Sequence, residues 1–160
     1  MVRGGMEFSE FKQLADRFHH ILDNNVVDLF LKEILLDMAK KLVSKTKRKT
    51  PVNTGLLRES WQIGHIEQRG NNYMVEVYSE IEYASFVENG FRAHWVPGEW
   101  KANQFVYDPN AKTGMQVGKK GGWVQGKFMM TLSVKEIERE MPRFLERKQT
   151  EFLNRLLNGR

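Results

Sequence analysis

From Val27 onward the apolar residues Val27, Phe30, Leu31, Ile34, Leu35, Met38, Ala39 and Leu42 recur every three or four positions. Only an α-helix gathers residues so spaced on one side, and this stripe is wide enough to be covered on more than one flank. Asp23, Asn24 and Asn25 offer capping side chains at its start, and Thr50 with Pro51 stops it. A helix of this length and width is the main pillar of a core, around which the rest of the chain has to be arranged.

Upstream, Phe8, Phe11, Leu14, Ala15, Phe18 and Leu22 keep the same spacing and predict a first helix of about four turns. Beyond Pro51 the period changes to two: Trp61, Ile63 and His65 alternate, a turn falls at Gly70, Asn71 and Asn72, and Tyr73, Val75 and Val77 alternate again, which predicts an antiparallel hairpin. Tyr83 to Asn89 reads as a short helix closed by Gly90. Residues 91–126 carry too many Gly and Pro for a helix. They suit either short strands at Phe105–Tyr107, Met115–Val117 and Trp123–Gln125 or a long mobile loop. Ser133 and Glu136 form a capping-box pattern ahead of Ile137, Met141, Phe144, Phe152 and Leu156, and Pro142 within that run predicts a kink or a break. The expected architecture is a single α+β domain over 1–160, an antiparallel β-sheet packed against long α-helices with a long flexible central loop. Its N-terminal helices span about 7–49, its sheet and loop about 60–126, and its C-terminal helix about 131–157.

The absence of cysteine excludes disulfides, thiolate zinc sites and cysteine nucleophiles and fits a reducing compartment. No run approaches the roughly 18 apolar residues of a membrane helix, so no membrane role is expected. The net charge of +5 is distributed in blocks. Residues 41–50 hold five Lys and Arg and no acid, residues 51–100 hold three against seven, and residues 101–130 hold five against one. Basic residues near Trp100, Phe105 and Trp123 suit a nucleic-acid strand, but alternation of sign along the chain suits a contact between copies equally well. Lys45, Lys47, Arg48 and Lys49, at the basic end of the long helix, and Lys112, Lys119 and Lys120 are the candidate interface or DNA-facing residues.

Catalytic chemistry finds little footing. His19 and His20 diverge on a helix, while His65 and His94 stand alone, without the spaced partners that a metal or a general base needs. Glu76, Glu80, Glu82 and Glu88 would suit a small metal-dependent nuclease only beside a lysine, and none occurs between 50 and 100. Gly118, Gly121 and Gly122 beside Lys119 and Lys120 lack P-loop spacing. No catalytic, metal or cofactor-binding residue is therefore assigned.

Two segments have a physical logic of their own. In Thr50–Ser60, Pro51 ends the helix, Asn53 or Thr54 caps a short turn of helix, Gly55 allows a tight bend, and Leu56 and Leu57 dock it. In order, Pro51, Thr54, Gly55, Leu57, Arg58 and Ser60, then a hairpin, then Tyr83, Ala84, Val87, Glu88 and Gly90 resemble a family of tailed-phage neck proteins. These head-to-tail joining or tail-component proteins of siphophages and prophages share the pattern PV(D/N)TG.L(R/K).S followed by YA..VE.G. Gly126 and Phe128, within GKFMM, add a third match, and the resemblance runs from about Leu35 to the C-terminus. The chain departs from the family at Asn89, Gly90 and Phe91, where Gly-Thr often follows the acidic residue. The resemblance implies a non-enzymatic virion protein without cofactor, made and assembled in the bacterial host cytoplasm. It would form a homo-oligomeric ring around the DNA channel at the head–tail junction and touch neighbouring neck or tail proteins and, passively, passing DNA.

Overall fold

The computed structural model describes residues 1–5, 9–19 and 23–158. In chain order the elements are β1 (Val2–Gly5), α1 (Ser9–His19), α2 (Asn24–Lys49), α3 (Leu56–Glu59), β2 (Gln62–Arg69), β3 (Asn72–Ser79), α4 (Ala84–Asn89), β4 (Gly90–Arg92), β5 (His94–Lys101), β6 (Gln104–Tyr107), β7 (Gly114–Val117), β8 (Trp123–Gln125) and α5 (Met129–Asn158). Phe8, His20 and Leu22, expected in the first helix, lie outside the described residues.

Every residue of the predicted α2 stripe from Val27 to Leu42 is buried. Asp23 caps the helix by accepting the Asn25 N–H at 2.8 Å, and Thr50 closes it by donating its backbone N–H to the Thr46 and Lys47 carbonyls. One flank of the stripe covers a three-stranded antiparallel sheet in the order β1-β3-β2, and the other covers α5. In central β3, Tyr73, Val75, Val77 and Ser79 point inward. Strand β1, which no sequence pattern announces, pairs with the free edge of β3 from Val2 opposite Ser79 to Gly5 opposite Glu76.

Three expectations are corrected. The alternation through Trp61, Ile63 and His65 breaks at a β-bulge: Ile63 faces Val77 but Ile66 faces Val75, so one extra residue sits in β2, and Ile63 and Ile66 are the residues that pack on the core. Ser133 is no cap. Helix α5 begins at Met129, and Ser133 lies within it, donating its hydroxyl to the Met129 carbonyl at 2.7 Å. Pro142 causes no break into two helices; it sits on the exposed side of one span from Met129 to Asn158. The α+β class holds, and of the two readings of residues 91–126 the short strands stand and the long flexible loop does not: Phe105–Tyr107, Met115–Val117 and Trp123–Gln125 fall in β6, β7 and β8, within two antiparallel assemblies ordered β4-β8 and β6-β5-β7.

Candidate functional site

The first motif is a fastening between α2 and the sheet. Gly55 sits at φ 85°, a left-handed conformation that costs a residue with a Cβ about 1 kcal/mol. The reversal drops Leu57 into the core. Thr50 Oγ1 donates to the Thr46 carbonyl at 2.7 Å and accepts Trp61 Nε1–H at 2.9 Å. Arg58 Nη2 donates to the Thr50 carbonyl at 3.0 Å, while its buried Nε–H has no acceptor among the described residues. Ser60 bonds Ser79 Oγ at 2.7 Å, tying α3 to β3. Pro51 and Thr54 are exposed beside this network.

The second and third motifs lock into each other. Glu88 is buried at the C-terminal end of α4 and faces the start of α5, where the first backbone N–H groups of a helix lack internal partners. Its carboxylate accepts the Met130 N–H at 2.9 Å, the Thr131 N–H at 2.9 Å and the Thr131 hydroxyl at 2.8 Å. This is a helix cap supplied from 42 residues away, and its negative charge suits the positive end of the helix dipole. The main chain adds Lys127 N–H to the Val87 carbonyl at 2.8 Å and Phe128 N–H to the Glu88 carbonyl at 3.0 Å. Phe128 takes φ 50° to turn the chain into the helix. At Gly126 a Cβ would stand 2.3 Å from the Glu88 carbonyl oxygen, and at Gly90 2.4 Å from that of Val124. Both positions exclude any side chain.

Together the first two motifs enclose a small cleft of roughly 170 Å³, lined by residues 51–57 with Tyr83 and Val87. Its surroundings are unusually apolar for exposed positions: Val52, Leu56, Tyr83 and neighbouring Phe86 all face solvent. Ala84 is fully buried behind them.

The basic block at the end of α2 is turned inward. Helices α2 and α5 run antiparallel, and a polar seam follows their contact. Lys41 pairs with Glu140 at 3.0 Å, Lys45 with Glu140 at 2.7 Å and Glu136 at 3.0 Å, and Lys49 with Glu136 at 2.8 Å. Lys47 pairs with Glu59 at 2.9 Å. Of the four cations singled out there, only Arg48 is exposed without an ion pair among the described residues. The Lys49 and Lys45 ammonium groups hold Glu136 at about 2 against an ordinary value of 4.5, and Lys45 with Lys41 lowers Glu140 as well. A carboxyl depressed in the folded state adds stability above its ordinary value and loses it as pH falls through the folded one. The melting temperature is therefore expected to fall on acidification from about pH 4.5 towards 2. Glu136→Gln should flatten part of that descent when unfolding is followed by circular dichroism.

Lys112, Lys119 and Lys120 are exposed at turns flanking β7, with no ion pair among the described residues. They belong to an arm, residues 90–127, that contributes no hydrophobic side chain to the core. Strands β5, β6 and β7 make their main contacts with one another, and no helix packs extensively on them. The sheet nevertheless displays Trp95, Trp100, Val106 and Tyr107, with Trp100 60% and Tyr107 63% exposed and Trp123 64% exposed on β8. Trp100 and Phe105 form an edge-to-face pair, ring centroids 5.4 Å apart, beside the turn at Ala102 and Asn103. Sequence reading singled out Trp100, Phe105 and Trp123 beside basic residues but not Trp95, Val106 and Tyr107, because exposure cannot be read from an aromatic alone. The signal within reach was Asn103, a residue tolerant of positive φ, between two aromatic strands.

The carboxylates that would have to form a nuclease site do not gather: Glu88 caps α5, Glu76 stands on the exposed side of β3, and Glu80 and Glu82 lie in the turn before α4. Among the described residues no group of three His, Asp or Glu could hold a metal ion. His94 Nδ1 lies 3.0 Å from the Arg92 carbonyl, and His65 sits in the bulge. His20 lies outside the described residues. No described helix is long and apolar enough to cross a membrane.

Comparison with known proteins accords with this geometry. Residues 12–90 match the family described as "Bacteriophage HK97-gp10, putative tail-component", a span that opens inside α1 and closes on Gly90. The chain is 32% identical over 87 residues to the phage-like element PBSX protein XkdI of Bacillus subtilis (strain 168), covering 51% of this chain and 53% of that protein. It thus spans about half the length of that relative. The uncharacterized protein YqbI of the same strain is 29% identical over 132 residues, 74% of this chain and 76% of the relative. No solved structure matches. Residues 12–90 are thus similar to the HK97-gp10-like family of that description, over about half of the chain.

Proposed function

We propose that this HK97-gp10-like chain is a non-catalytic structural part of a phage or phage-like particle, acting by assembly into a closed ring at the head–tail junction. The observation that carries the reading is the arm: an apolar, ordered sheet without a core of its own is incomplete in a lone chain. The family motifs support it, since their residues serve as bend, lock and cap rather than converging polar groups on one reacting position. In this reading the chain is made and assembled in the bacterial host cytoplasm, ends in the virion, and touches neighbouring neck or tail proteins.

Sedimentation velocity of the purified chain over a range of concentration, alone and with the adjacent tail proteins, is expected to show one discrete ring species. Antibody detection in purified particles should find the chain there. A protein that stays monomeric alone and with every neighbour, and is absent from particles, would sink the proposal.

A second reading keeps the arm for nucleic acid, favoured by the exposed Lys112 and by Lys119 and Lys120, exposed four and three residues before Trp123 in the chain. It predicts gel-shift binding to DNA that weakens steeply with salt. Within a ring, such contact would be the passive one expected of a channel lining.

A further inference from the structure

The arm and the motif cleft are complementary, and both belong to the same chain. Residues 90–127 hold six Lys and Arg against two acids, whereas residues 51–89 hold two against six. The arm presents Trp100 and Tyr107 with Lys101 beside them, exposed and without an ion pair among the described residues. The cleft presents Val52, Leu56, Tyr83 and Phe86, with Glu80 and Glu82 exposed just ahead of Tyr83. At roughly 170 Å³ it is smaller than the ~300–1,000 Å³ of small-molecule sites and suits a single inserted side chain. Aromatic anchors entering such pockets, with charges at the rim, are the ordinary anatomy of a protein–protein contact.

We infer that the aromatic tip of the β5–β6 hairpin of one copy, led by Trp100, docks in the motif cleft of the next copy, with Lys101 set against Glu80 and Glu82. The two surfaces differ, so the contact is heterologous, and repeating it either closes a ring or grows a filament. This deepens the assembly reading and rests on it. It also gives Tyr83, the exposed member of its motif, a role that packing does not provide. Opposite charges at the rim steer the encounter, and the aromatic insertion holds it.

The chain has no cysteine, so single thiols report the contact cleanly. Asn53→Cys, on the cleft lining, and Gln104→Cys, opposite Lys101 in the hairpin, are both exposed positions that keep Leu56 and Trp100 in place. Mixing the two single variants with a short bismaleimide is expected to yield a covalent dimer whose mass-mapped peptides join positions 53 and 104. Either variant alone should give at least tenfold less. The double variant should give a ladder of oligomers. Glu80→Lys with Glu82→Lys on the Asn53→Cys copy should abolish the product, and Lys101→Glu on the Gln104→Cys copy should restore it.

If 53–53 or 104–104 links form as readily as 53–104, the contact is symmetric and the inference falls. If wild-type rings sediment but no 53–104 link forms, this contact fails while the assembly reading stands. A 53–104 dimer without any ring supports the docking and removes only closure. Absence of both removes both. Duplex DNA that shields the Gln104→Cys thiol from maleimide, with no 53–104 link, would give the arm to nucleic acid and overturn the contact between copies.

Discussion

Glu88→Ala is expected to lower stability by about 4 kcal/mol, because it strips partners from the buried Met130 N–H and from the part-buried Thr131 N–H and hydroxyl, each orphan costing ~1–3 kcal/mol. In a chain of this size that is a fall in melting temperature of ~10 °C. An exposed helix cap is worth only ~1 kcal/mol. The difference lies in burial: Glu88 is 3% exposed and Met130 is buried, so water does not replace the acceptor lost to the Met130 N–H. Glu88→Gln keeps one oxygen and should lose about half as much, roughly 2 kcal/mol. A melting curve for Glu88→Ala within a degree or two of wild type would show that α5 does not need this cap. The cap also bears on assembly, because α4 carries Phe86 and follows Tyr83 at the edge of the cleft. Helix α4 left loose should weaken the 53–104 cross-link even at temperatures where the chain is folded.

The elements fixed by local periodicity were legible in the sequence. Helix α2 could be read because eight apolar residues share one side, and each is buried. The β2–β3 hairpin and α4 could be read because Gly70 with Asn71 and the helix-closing Gly90 mark their ends. What escaped was set by partners distant in sequence. Strand β1 has no pattern of its own and exists because β3 has a free edge. Ser133 with Glu136 satisfies a capping rule locally, yet Glu136 is drawn to Lys45 and Lys49 and the true cap comes from Glu88. The bulge in β2 is likewise invisible to strict alternation. Among the candidate cations the long-range logic recurs: Lys45 and Lys49 looked available because Glu136 and Glu140 lie some 90 residues away in the chain. The cations of the arm meet no such helix. Motif residues were legible as a pattern, but their division into lock and rim was not. Leu57, Ala84 and Glu88 face inward while Tyr83 faces solvent, and nothing in the spacing distinguishes them.

Gly126→Ala is expected to cost roughly 4 kcal/mol, beyond the ~1–3 kcal/mol usual for overpacking, because the added methyl has only backbone to meet. The ideal Cβ position lies 2.3 Å from the Glu88 carbonyl oxygen, 2.5 Å from the Asn89 carbonyl carbon and 2.7 Å from the Gly90 nitrogen. No rotamer change relieves such contacts, so the main chains of α4 and the approach to α5 must separate. That separation breaks the bonds from Lys127 and Phe128 to the Val87 and Glu88 carbonyls and draws the Glu88 carboxylate off the helix start. Gly70→Ala is the matched control. Gly70 has φ 61° but open space around its Cβ position, so only the conformational cost of ~1 kcal/mol applies. Urea midpoints with unchanged slopes measure both. The double variant Glu88→Ala with Gly126→Ala gives the sharper reading. If the two residues secure one junction, opening it by either route leaves little for the other to lose, and the combined cost should fall short of the sum by ~1–3 kcal/mol. Strict additivity would mean that cap and close approach act independently, and that the two motifs are neighbours rather than one lock.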